Sequence, residues 1–225
     1  MVFAILFNLL WILFGYIVGS INFSIILTKY SKTKKNIKEI GSGNAGATNA
    51  LRSYGWRFGL LIFILDTSKS YWFAFLIGML QLHSDAFDQV IPQLAILFVI
   101  IGHIFPLFFQ FKGGKGASTL LGMISSISLI LAAIGTIIFL IVVYLTRYVS
   151  LGSIVVPYIL AALAFIHPYL NGWFDSVISY GEFWLSPLML FIASMVVTAS
   201  HFQNIKNLLN KNERKIGMKI SKETI

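Results

Sequence analysis

The sequence predicts an all-α, polytopic integral membrane protein of about seven transmembrane helices, N-terminus outside and C-terminus cytoplasmic. Three observations carry that prediction. First, 57% of the 225 residues are hydrophobic and only 11% are charged, where soluble domains carry roughly 25%. Second, apolar runs near the ~20 residues that span hydrocarbon recur along the chain. They are too continuous for the alternating strands of a barrel, and helices satisfy their own backbone groups in lipid. Third, lysines and arginines alternate with acidic loops in the manner of the positive-inside rule.

The apolar segments lie at 2–28, 58–82, 90–111, 117–146, 151–168 and 184–200. The first lacks a basic leader and a small-residue cleavage site, so it reads as a retained span. The connection after it holds Lys29, Lys32, Lys34, Lys35, Lys38, Arg52 and Arg57. The next loop, HSDAFDQ at 83–89, holds Asp85 and Asp88 and no base. Lys112 and Lys115 follow the third segment, and Arg147 the fourth. Loop 168–182 again has only acids, Asp175 and Glu182, while the tail carries Lys206, Lys211, Arg214, Lys215, Lys219 and Lys222. Six simple spans would put that tail outside. Reading 117–146 as two short passes, broken near Ile127–Gly135, gives seven and places all 17 basic residues except Lys69 inside. The net charge of +9 then belongs to loops beside an anionic leaflet, and nucleic acid is not an expected partner. No polar linker divides the chain, so residues 1–225 read as a single domain. There is no cysteine, which excludes thiol catalysis and thiolate metal sites.

Three polar groups collect at the cytoplasmic face. In GSGNAGATNALRSYG, 41–55, Gly41, Gly43 and Gly46 match G-x-G-x-x-G. A lysine-rich loop precedes the stretch, not a strand, so the dinucleotide reading fails. Glycines leading into a helix at Ala47–Tyr54, closed by Gly55, still suit an anion. In GHIFPLFFQFKGGKGAST, 102–119, His103 and Pro106 end a span, Lys112 and Lys115 flank Gly113, Gly114 and Gly116, and Ser118 and Thr119 open the next helix. This is no Walker A loop, but it is a backbone nest with two cations. In HFQNIKNLLNKNERK, 201–215, the three-residue spacing of His201 and Asn204 puts them on one helix face. Each stretch alone also fits a plain basic loop or a snorkelling tail. Ser20 and Asn22 lie in the first span, and Asp66 and Lys69 share a face of the second. That charged pair reads equally as a structural ion pair or a functional site. Ser150 and Ser153 sit where two short spans meet inside. His103 and His201 lack the carboxylates of a metal site, and a serine triad lacks its acid partner. No metal and no cofactor is expected.

These stretches resemble the signatures of the bacterial acyl-phosphate:glycerol-3-phosphate acyltransferase family. GSGNAGATNALR looks like its first cytoplasmic signature and GHIFPLFFQFKGGKGAST its second. RYVSLGSI at 147–154 and HFQNIKNLLNKNERK resemble the third and the C-terminal ones; Gly19-Ser20 and FILDTSKS at 63–70 also fit. The likeness runs from the first loop to the tail. It implies seven spans with the N-terminus out. It also implies transfer of a fatty acyl group from acyl phosphate to the 1-hydroxyl of glycerol 3-phosphate, giving lysophosphatidic acid and inorganic phosphate in the bacterial cytoplasmic membrane. Three positions depart from the family pattern: Lys38 and Asn207 stand where it has arginine, and Ala45 where it has proline. Lys38 keeps the charge but loses the bidentate fork.

On that resemblance, catalysis falls to His201, Asn204, Lys112 and Ser150. Substrate phosphates fall to Ser20, Lys38, Gly41, Ser42, Gly43, Asn44, Gly46, Thr48 and Asn49. The same role extends to Lys69, His103, Gly113, Gly114, Lys115, Gly116, Thr119, Ser153 and Glu213. Either loop suits either substrate; acyl phosphate is placed at Gly113–Gly116. The donor is already activated, so the hydroxyl attacks directly. His201 or the substrate's own phosphate takes the proton. A phosphate-solute transporter would use the same cradles, but near mid-bilayer with access from both faces. Chain-length preference and oligomeric state are not legible.

Overall fold

The structure, a computed structural model, describes residues 2–31, 36–166 and 184–217. The acidic loop with Asp175 and Glu182, and Lys32, Lys34, Lys35, Lys219 and Lys222, lie outside the described residues. The described residues fold into ten α-helices and two short 3-10 turns. The helices are α1 Val2–Ser20, α2 Phe23–Lys29, α3 Ala47–Tyr54, α4 Trp56–His83 and α5 Pro92–Ile104, then α6 Ala117–Ile127, α7 Leu129–Thr146, α8 Val149–Ile166, α9 Leu185–Ser200 and α10 Phe202–Leu209. Five helical segments are long and apolar enough to cross a membrane, or six if α9 and α10, bent by 65°, form one span.

Two breaks shape the bundle. The first segment is not continuous, as the hydropathy reading had it. It stops at Ser20, and Asn22 starts α2 by accepting from the Ile25 N–H at 3.1 Å and the Ser24 hydroxyl at 2.8 Å. An asparagine cap competes with helix continuation. The 117–146 segment breaks at Ser128, which is extended (φ −162°, ψ 124°). Its N–H closes α6 on the Ile124 carbonyl, and its hydroxyl caps α7 at Leu131. The two arms are unequal, 11 and 18 residues. At 1.5 Å per residue α6 is about 16 Å long, short of a ~30 Å core.

α1 and α5 pack backbone to backbone. A Cβ on Gly15 would stand 2.4 Å from the Ala95 carbonyl oxygen, and one on Gly19 2.1 Å from that of Val99. Small residues at this spacing let helices approach in lipid, where no hydrophobic force drives them together. Asn8 locks the far end, donating to Gln89 O at 2.6 Å and accepting from Ile91 N at 2.8 Å. Gln93 ties α5 to α9 through Ser186 at 2.8 Å. A core of α4, α5, α6, α8 and α9 residues, including Ile77, Ile96, Met123, Leu160 and Leu190, is wholly buried. A second, small cluster of Ile37, Ala45, Ala50 and Ile62 seats the glycine loop on α4.

Asn49 organises that loop. Its amide donates to the carbonyls of Ile37 (3.0 Å), Ile40 (3.0 Å) and Asn44 (3.1 Å), and its oxygen accepts the Ser42 N–H at 2.9 Å. The side chain is 1% exposed and has no capacity left for substrate. The phosphate-binding expectation for Asn49 is therefore corrected: it is the loop's staple. Asn49→Ala orphans several backbone groups and is expected to destabilise the protein by about 2–4 kcal/mol. Thermal unfolding in detergent checks this; an unchanged Tm would contradict it.

Candidate active site

The loop before α3 turns at Gly41 (φ +63°) and Gly43 (φ +70°), left-handed values that favour glycine. A Cβ on Gly41 would sit 2.1 Å from Asn49 Oδ1. α3 spans Ala47–Tyr54 as expected, with Gly46 before it and Gly55 (φ +94°) after it. Its first N–H groups, like those of α6, have no acceptor within their own helix. Ser42 is exposed, and Asn44 and Thr48 are half-buried at this mouth.

The 112–116 turn folds against the end of α5. Pro106 ends that helix, since the residue before a proline avoids the α region. Tyr16 and Ser20 hold the strand of chain beyond it: Tyr16 donates to Phe105 O at 2.7 Å, and Ser20 accepts from Leu107 N at 3.1 Å. Ser20 is thus a tether, fully buried, and not a phosphate ligand. The Gly113 N–H donates to Ile104 O at 3.0 Å and the Gly114 N–H to His103 O at 3.1 Å. Those two groups are spent internally. The expectation that they grip a phosphate is corrected: the turn offers Gly116 (φ +81°) and the α6 N-terminus. Gly114 also touches the other loop, for a Cβ on it would stand 2.8 Å from Ala45 O.

Lys38 reaches across to Phe109, donating to its carbonyl at 3.2 Å. Partial burial and the nearby Lys112 charge hold its ammonium below the usual lysine range. Like charges of this kind favour an anion beside them. Lys112 itself is exposed.

Behind the turn lies a polar network. Lys115 Nζ donates to Asn204 Oδ1. Asn204 Nδ2 donates to Glu213 Oε1 at 2.7 Å, and the Ser150 hydroxyl donates to the same oxygen at 2.7 Å. Burial pushes Lys115 below the usual lysine range; Glu213 opposes that shift and Arg52 adds to it. Arg52 Nη2 donates to Arg214 O at 3.2 Å, binding α3 to the tail. The Ser200 hydroxyl donates to Lys115 O at 2.8 Å. Five segments of the chain therefore meet around one lysine. In the sequence Arg52 reads only as a topology signal, a base in a cytoplasmic loop. Its place inside GSGNAGATNALR was the available clue.

His201 stands at the bend between α9 and α10, capping both. As N-cap of α10 it stands three residues before Asn204, and its carbonyl accepts the Ile205 N–H at 2.9 Å. Its Nδ1 lies 2.8 Å from Val197 O. A carbonyl only accepts, so Nδ1 carries the proton and Nε2 keeps its lone pair.

The side chains of four expected ligands make no hydrogen bond to this network among the described residues. Thr119 is fully buried. Ser153 donates to Val149 O in its own helix at 3.0 Å. Lys69 and His103 are buried together with Asp66 beneath the turn. Lys69 Nζ donates to Gly19 O (2.9 Å), Ile21 O (3.0 Å) and His103 Nδ1 (3.0 Å), and contacts Asp66 Oδ1 at 3.5 Å. An ammonium has three donors, so Lys69 holds no substrate phosphate. The charged pair is structural.

Comparison with known proteins agrees with the resemblance. The family described as "Glycerol-3-phosphate acyltransferase" matches residues 9–211. Proteins named glycerol-3-phosphate acyltransferase from Mycoplasma mobile and Mycoplasmopsis pulmonis are 47% and 40% identical, covering 92% and 94% of this chain and 91% and 94% of theirs. The fold is similar to crystal structures of PlsY (YgiH), an integral membrane glycerol 3-phosphate acyltransferase. Its glycerol 3-phosphate form has TM-score 0.72 at 29% identity, over 93% of this chain and 96% of that one. Its lysophosphatidic acid form has TM-score 0.71 at 29% identity, over 93% and 95%. The chain belongs to the glycerol-3-phosphate acyltransferase family.

Proposed function

We propose that this protein transfers a fatty acyl group from acyl phosphate to the 1-hydroxyl of sn-glycerol 3-phosphate. One observation carries the reading. Lys115, Arg52, Asn204, Glu213 and Ser150, drawn from separate segments, converge beside two glycine loops that each lead into a helix N-terminus. Two anions fit such a site, and apolar helix faces beside it suit an acyl chain entering from the bilayer. The whole chain acts as one catalytic domain with seven spans, α6 being the short one. It resides in the bacterial cell membrane with its site at the cytoplasmic face, where the basic loops lie.

The hydroxyl oxygen of glycerol 3-phosphate attacks the acyl carbon. A C–O ester bond forms, the acyl–phosphate C–O bond breaks, and inorganic phosphate leaves. Lys112, Lys115 and the α6 N-terminus stabilise the departing charge. Lys38, Ser42 and the α3 N-terminus orient glycerol 3-phosphate. The hydroxyl proton passes to His201 Nε2 or to the leaving phosphate. His201→Ala separates these routes: kcat falls about hundredfold or more if imidazole is the base, and less than about tenfold if phosphate is.

The reading itself is tested by donor choice. Purified protein given palmitoyl phosphate and labelled glycerol 3-phosphate should form labelled lysophosphatidic acid. Palmitoyl-CoA should not replace palmitoyl phosphate; equal product from both would overturn the donor assignment.

A further inference from the structure

Resting on the acyltransferase reading, we propose that Asp66, Lys69 and His103 form a buried positioning unit that sets the 113–116 turn from beneath. The geometry has three parts. Lys69, on α4, gives two of its protons to the carbonyls of Gly19 and Ile21. These lie at the break between α1 and α2, where helix-end carbonyls lack partners and the helix dipole is negative. Its third proton goes to His103 Nδ1. An ammonium can only donate, so the ring accepts at Nδ1 and keeps its proton on Nε2. Asp66 lies 3.5 Å from Lys69 and 3.6 Å from His103, with neither oxygen hydrogen-bonded among the described residues. It acts as a counter-charge.

The far side of the imidazole meets the turn. A Cβ on Gly114 would sit 2.1 Å from His103 Nε2, and the His103 carbonyl accepts the Gly114 N–H. The ring is 1% exposed, so it touches no substrate. It transmits a fixed position: α4 sets Lys69, Lys69 sets the ring, and the ring sets Gly114. Gly114 lies between Lys112 and Lys115 and against Ala45 of the other loop. A change at Lys69 therefore reaches both loops.

Two variants test this. Lys69→Met with Asp66→Asn removes the ion pair together, leaving no buried unpaired charge. His103→Asn keeps an acceptor near Nδ1 for Lys69 but removes the ring from under Gly114. It changes no charge, so it serves where the double variant does not fold. Both keep Lys112, Lys115 and the helix N-termini. The expected result is kcat lower by at least about tenfold, with KM for glycerol 3-phosphate changed less than about threefold. Wild-type kcat in His103→Asn would overturn the proposal. So would a loss confined to KM, which would mean that these groups bind substrate. Wild-type protein in the same assay keeps the two claims apart: if it makes no lysophosphatidic acid, the acyltransferase reading fails and not the positioning one.

Discussion

Gly113→Ala is expected to lower kcat/KM by at least about hundredfold while leaving the helical bundle folded. An added Cβ would stand 2.1 Å from the His103 carbonyl oxygen, 2.6 Å from Pro106 Cδ and 2.9 Å from the Ile104 carbonyl oxygen. None of these belongs to a flexible side chain. Two are backbone atoms at the end of α5, and the third is in a proline ring. The turn must lift, and the Gly113 N–H loses Ile104. Lys112 and Lys115 ride on that turn, so both cations shift relative to the tail and to the α3 loop. Misplacement of about 1 Å can cost 10²-fold in rate. Kinetics on detergent-purified variant, with circular dichroism to show retained helix, check this. Wild-type turnover would mean that the turn does not position the reacting groups.

Lys115→Ala is expected to cost about 10²–10³-fold in kcat/KM, the scale seen when a preorganised donor to developing charge is removed. Lys115 also organises the tail by donating to Asn204, which in turn donates to Glu213. The two losses should therefore not add. Lys115→Ala combined with Asn204→Ala should be little worse than Lys115→Ala alone, as expected for groups acting as one network. Additive losses in the double variant would show that the two residues act independently.

The bounds of α3 were legible because glycines stand on both sides of Ala47–Tyr54 and little else in that stretch resists a helix. The break within 117–146 was legible only through charge, since the basic tail required another crossing. Its range was legible too: the break falls at Ser128, inside the expected Ile127–Gly135, although one small polar residue in an apolar run does not announce the exact position. The Asn22 break was hidden for a related reason: one asparagine barely alters the mean hydropathy of 28 residues. Site residues were legible by type and not by direction. Asn49 suits a phosphate as well as a carbonyl, and only the phase of α3 against its own loop turns it inward. Lys69 reads from the sequence equally as a structural ion pair or a functional group, because a buried ammonium is costly, and only the resemblance gives it a substrate role. The carbonyls that satisfy it exist only because α1 stops at Ser20. The resemblance names all four residues of the Lys115–Asn204–Glu213–Ser150 network, but they come from three separate stretches, and only the fold shows that they bond to one another.

The most direct test of the whole account is the balance of products from purified protein. Palmitoyl phosphate and glycerol 3-phosphate are supplied together, and both lysophosphatidic acid and inorganic phosphate are measured. Direct transfer predicts one lysophosphatidic acid per phosphate released, with no phosphate released when glycerol 3-phosphate is omitted. Phosphate release without lysophosphatidic acid, or neither product from folded protein, would contradict it.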